Sequence, residues 1–375
     1  MPMHKGLLPR EGFCADAVLS LIRSTALNPN LLLPLILLGR FTKIGRELST
    51  QHGGAHSGLH TLFYVAVARV VNNWLSNMVS NNWVSDKYDW ANEIVLITGG
   101  SGGIGGCMVR LFDELGVKVV VLDIQPMTIT TSSRISYYNC DLRSPESVNA
   151  VADRIRTEVG HPTVIINNAG VVRGKTILDS DPSDIRFTFD VNTFAAFWVT
   201  KAFLPNLIAR DHGMVVTVTS TASWLAIPHL TDYCGSKAAS LALHEGLSAE
   251  LKSKYNAPKV RTVVVHPGHT ATPLFEGYNQ DTAFLMPEQR PESIAEAVVK
   301  KVMSGRSGSV IVPQTVGILS ALRAMPEWYG RTVRSDARIM SKWNGRQVIS
   351  DVSGPQDDKQ AQSDESESVL LVPEL

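Results

Sequence analysis

The segment EIVLITGGSGGIGG, residues 93–106, joins a short apolar run to a glycine-rich turn. The run is rich in β-branched residues and has the length of one buried strand. Gly99, Gly103 and Gly105 allow a tight turn whose backbone amides can approach a phosphate group. A helical pattern begins near Ile104, and the amino end of a helix attracts anions. The segment therefore predicts a strand, a phosphate-binding loop and a helix, in that order.

The same alternation continues from about residue 92 to residue 313. Five further apolar runs are predicted strands: VKVVVLD, TVIINNAG, MVVTVTS, KVRTVVVHPG and GSVIVP. Helical patterns such as PESVNAVADRIRTEVG separate most of them. Strands that alternate with helices predict a parallel sheet covered by helices on both faces. We therefore predict an α/β fold: a single catalytic domain built on a Rossmann-type, doubly wound parallel sheet.

The chain divides into four zones by composition. Residues 1–90 form an apolar extension, 91–313 the α/β domain, and 314–350 a C-terminal helical extension. Residues 351–375 are acidic, polar and poor in aromatic side chains, and this composition predicts a disordered tail.

Charge and cysteine content exclude several classes of function. The formal net charge is zero, and no basic cluster is long enough to follow a phosphate backbone, so we expect no nucleic-acid partner. The four cysteines lie far apart and show no metal-binding spacing, which favours reduced thiols in a reducing compartment. His266 and His269 flank a turn without a second ligand cluster, so we expect no metal site.

One acidic residue bears on the choice of cofactor. The strand VKVVVLD ends in Asp123, about 20 residues after the glycine loop, as in dinucleotide-binding folds. An acid there accepts hydrogen bonds from ribose hydroxyls and repels a 2′-phosphate. No arginine or lysine occurs in the loop or directly after Asp123. The sequence therefore predicts NAD in preference to NADP, with Ser101 and Ile104 of the loop also at the cofactor.

The stretch YCGSK, residues 233–237, places Tyr233 and Lys237 on one face of a predicted helix. A tyrosine ordinarily titrates near ~10, and a neighbouring lysine cation favours its phenolate. Ser220, at the end of the predicted strand MVVTVTS, stands where open α/β sheets bind ligands. These residue types suit proton transfer at an alcohol or carbonyl oxygen while a cofactor carries the hydride. Cys234 between them is interpreted as a small packing residue.

Five separated motifs between residues 92 and 313 resemble the short-chain dehydrogenase/reductase family. They are the glycine loop from Thr98, NNAG at 167–170, Asn192 in VNTF, Ser220 thirteen positions before Tyr233, and YCGSK. The resemblance implies that Asn192, Ser220, Tyr233 and Lys237 form a proton relay, and that Lys237 also holds the nicotinamide ribose. It places further residues at the cofactor: Asp141, Leu142, Asn168, Lys201, Thr270 and Thr272.

The N-terminal zone bears on membranes. The uncharged window from Ser24 to Gly39 is shorter than the ~20 residues that span a bilayer, and Pro34 interrupts it. Residues 61–80 separate into a polar and an apolar stripe, which predicts an amphipathic helix. This zone is predicted to lie at a membrane or lipid-droplet surface, facing the cytoplasm. The alternative is that it packs against the domain or a second subunit.

Residues 271–291 stand where the family places its substrate lid, and they are rich in apolar side chains. With the apolar N-terminus, they resemble the membrane- and lipid-droplet-associated members that act on retinol, 17β-hydroxysteroids and long-chain lipids. We therefore predict an NAD(P)-dependent oxidoreductase of a lipophilic substrate. The alternatives are a tailoring reductase of secondary metabolism and a catalytically silent NAD-binding scaffold. The family resemblance also allows a homo-oligomer.

Overall fold

The computed structural model describes residues 3, 4, 6, 8–127, 132–278, 284–336 and 343. The predicted acidic tail at 351–375 lies outside the described residues. Of the predicted C-terminal extension, 314–350, residues 337–342 and 344–350 also lie outside the described residues.

A sheet of seven parallel strands forms the centre of the described structure, and it confirms the predicted fold class. The spatial order is β3-β2-β1-β4-β5-β6-β7. The strands are β1 (Ile94–Thr98), β2 (Lys118–Asp123), β3 (Ile135–Asn139), β4 (Val164–Asn167), β5 (Met214–Val218), β6 (Arg261–Pro267) and β7 (Gly308–Val312). All five residues of β1 are buried, as are all seven of β6, as expected for central parallel strands. The edge strand β3 was not among the predicted strands.

Helices cover both faces of this sheet. α5 (Gly103–Glu114) and α10 (Pro291–Met303) pack on one face through residues such as Phe112 and Val298. The other face is covered by α6 (Pro145–Glu158), α8 (Ala195–Arg210) and α9 (Thr231–Ser253). Between β4 and α8 the chain forms α7 (Pro182–Phe189) and a π-helical turn over Asp190–Phe194. After β7 come a 3₁₀ segment (Gln314–Ala324) and α11 (Glu327–Asp336).

The strand order reverses between β1 and β4, which are neighbours in the sheet but not in sequence. At such a point the loops that follow the two strands diverge to opposite faces and leave a crevice beyond the carboxyl ends of the strands. The glycine loop follows β1, and NNAG begins at the last residue of β4, so both border this crevice.

Four helices precede the sheet: α1 (Ala15–Ser24), α2 (Pro29–Phe41), α3 (Lys43–Gln51) and α4 (Gly53–Ser80). α2 continues through Pro34, so the predicted interruption is wrong; a proline removes one backbone hydrogen bond, and this helix tolerates the loss. Within the described part of the chain, no single helix is both long and apolar enough to cross a membrane. α1 and α2 together pass by length and composition, with a 45° bend between them.

Arg261 fastens the segment after α4 to the amino end of β6. Its side chain is fully buried, and its guanidinium donates to the carbonyls of Asn81 (3.0 Å), Val84 (2.7 Å) and Pro258 (3.3 Å). His212 adds a contact to the same segment through Asp86, 2.8 Å from its Nδ1 atom. The extension is therefore tied to the sheet where α4 ends.

Candidate active site

A cleft of about 1760 Å³ lies beyond the carboxyl ends of the strands. Its walls come from the glycine loop, the ends of β2, β4 and β5, the start of α9 and the lid segment after β6. Most of the predicted site residues line it: Gly99, Ser101, Gly103, Ile104, Asp123, Asp141, Leu142, Asn168, Ser220, Tyr233, Lys237, Thr270 and Thr272. The strand order thus brings together residues that are up to 173 positions apart in the sequence.

The glycine loop has the conformation that its sequence predicts. Gly99 and Gly103 have φ values of +66° and +54°, which side chains rarely permit. A Cβ atom on Gly105 would lie 2.0 Å from the carbonyl oxygen of Gly99, so only glycine fits there. Gly102 caps α5 without a side chain that could occupy the amides of the first turn. The loop therefore fits the pyrophosphate of a dinucleotide.

Asn168 holds this loop in place. Its Nδ2 atom donates to the carbonyls of Thr98 (3.0 Å) and Gly99 (3.1 Å). The hydroxyl of Thr98 in turn accepts from the backbone amides of Asn168 (2.9 Å) and Ala169 (3.0 Å). Asn168, which was predicted to lie along the cofactor, thus uses its side-chain amide to hold the glycine loop.

Asp123 sits at the end of β2 with its carboxylate fixed by two backbone amides. Oδ2 accepts from Ser101 N at 2.9 Å, and Oδ1 accepts from Gln125 N at 3.0 Å. These bonds orient the acid beside the glycine loop and leave lone pairs for further donors.

Asp141 forms an ion pair that the sequence did not indicate. Arg143 Nη2 lies 2.6 Å from Asp141 Oδ2, and hydrogen bonds from this guanidinium lower the pKa of the carboxyl. Both residues line the cleft next to the buried Leu142. Arg143 therefore adds a positive charge to this part of the cleft. It lies outside the glycine loop and the residues directly after Asp123, where the sequence shows no basic residue.

Tyr233 and Ser220 meet inside the cleft. Both side chains are buried, and Ser220 hydrogen-bonds the phenol. Burial raises the pKa of Tyr233, while the Ser220 hydrogen bond acts in the opposite direction. The Ser220 hydroxyl also accepts from the amide of Ala222 at 3.1 Å, which fixes its rotamer.

Lys237 lies one helical turn after Tyr233, with its Nζ atom 5.8 Å from the centre of the phenol ring. Nζ donates to the carbonyl of Val218 at 3.1 Å, and burial lowers the pKa of the amine to about 8. For Tyr233, removal from water is the largest influence on the pKa of the phenol.

Asn192 lies in the π-helical turn before α8, a type of distortion that often marks functional sites. Its side chain accepts from Val171 N (2.7 Å) and donates to Val171 O (2.9 Å) and Ser236 Oγ (3.0 Å). Ser236 donates to Tyr233 O at 2.7 Å, and Ser240 donates to Asn192 O at 2.7 Å. Asn192 thus connects the loop after β4 to the helix of Tyr233. Ser236 and Ser240 were not among the predicted site residues, because their role depends on contacts between α9 and the π-helical turn.

Three other residues were predicted to lie at the cofactor, and only two of them line the cleft. Lys201 is exposed on α8 and does not line the cleft, because it projects from the face opposite the buried Val199 and Phe203. The structure therefore does not bring this lysine to the cofactor. Thr270 and Thr272 do line the cleft, and the methyl carbon of Thr272 would lie 3.7 Å from a Cβ placed on Gly103.

The lid is fastened by the N-terminal segment. The amide of Ala15 donates to Phe284 O at 2.9 Å, and the rings of Phe13 and Phe284 lie 5.8 Å apart. The carboxylate of Asp16 accepts from the amides of Gln314 (2.6 Å) and Thr315 (2.8 Å). α1 therefore begins against Phe284 of the predicted lid and against the start of the 3₁₀ segment.

Comparison with known proteins agrees with this geometry. A family model described as short chain dehydrogenase matches residues 93–283. Dehydrogenase RED2 of Cochliobolus heterostrophus is 41% identical over 198 residues, which are 52% of this chain and 75% of that protein. Epidermal retinol dehydrogenase 2 of Mus musculus is 35% identical over 57% of this chain and 72% of its own length. Estradiol 17-beta-dehydrogenase 11 of Rattus norvegicus is 32% identical over 64% and 82%, respectively.

Solved structures support the fold. A 4-hydroxyisoleucine dehydrogenase complexed with NADH has a TM-score of 0.53 and 23% identity, covering 59% of this chain and 96% of that one. A short chain dehydrogenase from Burkholderia cenocepacia in complex with NADP has a TM-score of 0.55 and 24% identity, covering 65% and 96%.

Proposed function

This chain belongs to the short-chain dehydrogenase family, and we propose that it interconverts a hydroxyl and a carbonyl group on a lipophilic substrate, with NAD(H) preferred. The family identifies it as an alcohol dehydrogenase/reductase that uses NAD(P). The observation that carries the proposal is that Ser220, Tyr233 and Lys237 line one cleft beside the glycine loop.

In the proposed reaction the residues of the cleft handle the proton and the substrate oxygen. The nicotinamide, when bound, accepts or supplies the hydride. Tyr233 exchanges a proton with the substrate oxygen, and the hydroxyl of Ser220 donates a hydrogen bond to that oxygen. Lys237 lies within reach of the phenol, and its cationic form favours the phenolate that accepts a proton. Asn192 positions the loop after β4 through its two bonds to Val171.

The proposed preference for NAD rests on Asp123. Its carboxylate is fixed by two backbone amides at the end of β2, where a 2′-phosphate would meet a negative charge. Gly99, Gly103, Gly105, Ser101 and Ile104 would hold the phosphates. On the adenine and nicotinamide sides we assign Asp141, Leu142, Thr270 and Thr272.

A lipophilic substrate is supported by the walls of the cleft on the side of Tyr233. Apolar residues from three segments line this side: Leu225, Ile227, Leu230, Leu274, Phe275 and Met286. Relatives named for retinol and estradiol are about one-third identical to this chain, 35% and 32%, respectively. Both names denote largely apolar alcohols, in agreement with these walls.

We further propose that residues 1–90 hold the enzyme on the cytoplasmic face of a membrane, at the endoplasmic reticulum or a lipid droplet. Large apolar side chains of α2 and α4 are exposed: Leu31, Leu33, Leu35, Leu37, Leu38, Phe41, Leu62, Val65, Val70, Val71, Trp74 and Leu75. Monomeric soluble proteins rarely expose apolar patches of this extent. Because α1 contacts the lid, a substrate dissolved in the lipid phase would meet the cleft close to the membrane surface.

A substrate screen tests this function. The purified full-length chain is assayed in detergent with NAD and with NADP on retinol, 17β-hydroxysteroids, long-chain alcohols and short polar alcohols. We expect turnover of at least one lipophilic class, faster with NAD than with NADP. Activity restricted to short polar alcohols would contradict the lipophilic assignment.

A further inference from the structure

His269 lines the cleft but belongs neither to the proton relay nor to the dinucleotide cradle. It follows Pro267 and Gly268 at the carboxyl end of β6. Its backbone is held in place, because its carbonyl accepts from the amide of Gln289 at 2.9 Å. The next residue, Thr270, forms an isolated bridge with the same Gln289. These contacts with Gln289 therefore fix the backbone that carries the imidazole ring.

The imidazole of His269 is enclosed by aromatic rings. Its centre lies 4.6 Å from that of Tyr278 and 5.6 Å from that of Phe275, both edge-on. Phe275 in turn stands edge-on to Tyr233, with ring centres 6.0 Å apart. Only one aromatic ring thus separates the imidazole from the proposed catalytic phenol.

Both ring nitrogens of His269 are buried without a hydrogen-bond partner among the described residues, and the side chain is 10% exposed. The nearest acidic oxygen, Oε1 of Glu288, is 3.8 Å from Nδ1, which is beyond hydrogen-bond length. A buried polar group without a partner destabilises a protein, so its retention in a cleft indicates a partner that arrives with a ligand. The groups of three or more side chains that a metal would need are absent from the described part of the chain.

His269 packs on the side of the loop after β6 that faces the predicted substrate lid. Thr272 approaches the glycine loop, with its methyl carbon 3.7 Å from a Cβ placed on Gly103. His269 instead packs against Phe275 and Tyr278 of the lid segment. The two residues therefore divide the loop after β6 between the cofactor side and the substrate side of the cleft.

The charge state of His269 defines what it can bind. Burial lowers its pKa to about 4, so the imidazole is neutral at pH 7 and offers one donor and one acceptor. The carboxylate of Glu288 on the Nδ1 side favours the proton on Nδ1. Nε2 is then an acceptor, and it suits a hydroxyl group.

We infer that His269 accepts a hydrogen bond from a second hydroxyl of the substrate, remote from the reacting carbon, and so selects substrates with two oxygens. The inference rests on the proposed function, because it assigns a recognition role within the same cleft. It narrows the substrate class from lipophilic alcohols to lipophilic diols.

Two matched sets of probes test this role. One set compares 5α-androstan-17β-ol with 5α-androstane-3β,17β-diol, oxidation being followed at carbon 17. The other compares 1-dodecanol with dodecanediols whose second hydroxyl is moved stepwise along the chain. For the wild-type chain we expect kcat/KM to favour at least one diol by about tenfold over its mono-ol, as one satisfied hydrogen bond allows.

Two variants separate recognition from packing. His269→Phe keeps the aromatic contacts and removes both nitrogens, so the diol preference should disappear. His269→Gln packs less well but can place an amide near Nε2, and it should retain part of the preference. His244→Phe is the matched control, because His244 also has a buried Nδ1 without a partner but lies outside the cleft. Thermal unfolding and NADH affinity, measured by fluorescence, establish that each variant is folded.

The outcomes are distinct. Loss of diol preference in His269→Phe, with NADH affinity unchanged and partial rescue in His269→Gln, supports the inference. A wild-type chain that oxidises mono-ols and diols equally well overturns the inference and leaves the proposed function standing. A fall in NADH affinity in His269→Phe also overturns it, because the ring would then serve the cofactor. A wild-type chain that oxidises retinol, a mono-ol, but no member of either set also overturns the inference. A chain that oxidises neither retinol nor any member of the two sets contradicts the proposed function itself.

Discussion

The ammonium nitrogen of Lys237 lies 5.8 Å from the centre of the Tyr233 ring, and both side chains are buried on one face of α9. Burial raises the pKa of the phenol and lowers that of the amine to about 8, so each group is driven toward its neutral form. The hydrogen bond from Ser220 opposes this shift at Tyr233. Exclusion of water therefore opposes formation of the phenolate.

Replacing Asp123 by serine should change the choice of cofactor. The serine removes the negative charge that two backbone amides hold beside the glycine loop. We expect NADH affinity to fall about tenfold and NADPH affinity to rise, since the repulsion of a 2′-phosphate is lost. Fluorescence titration with both dinucleotides measures this shift. Asp153→Ser, at an exposed carboxylate of α6, is the control, and an unchanged ratio in Asp123→Ser would remove the basis for the NAD assignment.

The free energy of unfolding should decrease below pH 6.5. His266 is buried, its Nδ1 lies 2.9 Å from Thr219 Oγ1, and burial lowers its pKa to about 4. Between its ordinary pKa of 6.5 and about 4, the unfolded chain binds a proton that the folded chain refuses. Stability therefore rises with pH through this window and is lost as the pH falls. Urea unfolding at pH 7.5 and pH 5 measures the difference.

The variant His266→Gln should flatten this dependence, whereas replacement of the exposed His161 should leave it unchanged. Equal slopes for His266→Gln and the wild type would show that another group is responsible. His244 and His269 also have pKa values lowered to about 4 by burial, so some pH dependence remains in the variant.

Removal of the Asp16 carboxylate should loosen the lid. Asp16 accepts from the amides of Gln314 and Thr315, next to the contact between Ala15 and Phe284. Asp16→Ala leaves those two amides to water, so we expect KM for a long-chain alcohol to rise about three- to tenfold. NADH affinity should not change. A proportional fall in kcat at constant KM would instead place the effect on the chemical step.

The exposed apolar side of α2 should determine membrane binding. Leu35 and Leu38 are 52% and 56% exposed, and a charged residue placed in an apolar membrane region is unfavourable. The double change Leu35→Asp and Leu38→Asp should abolish co-flotation of the full-length chain with phosphatidylcholine vesicles. Leu178→Asp, at a fully exposed leucine of the catalytic domain, is the matched control. Flotation that survives the α2 change would contradict this assignment.

The sequence predicted those parts of the site that local patterns encode. Gly99, Gly103 and Gly105 follow from the spacing that a tight turn requires, and Tyr233 and Lys237 share a face because they are four positions apart. The buried strands are continuous β-branched runs. Strand β3 was missed because it is partly exposed and its sequence, ISYYN, contains no such run.

The rest depends on contacts that leave no local pattern. The bonds of Asp16 to Gln314 and Thr315 join residues 298 and 299 positions apart. The π-helical turn around Asn192 has the residue pattern of an ordinary helix, and only its backbone shows the change. Lys201 was placed at the cofactor by family position alone, whereas the packing of α8 turns it toward solvent.

The central claim is that Tyr233 exchanges the proton in the chemical step, and Tyr233→Phe tests it most directly. The phenyl ring keeps the edge-on contact with Phe275 and loses only the hydroxyl. With a lipophilic alcohol identified by the screen, single-turnover formation of NADH should slow by about 10²–10⁴-fold, while NADH affinity stays unchanged. A variant that binds NADH and turns over at the wild-type rate would contradict the assignment of Tyr233.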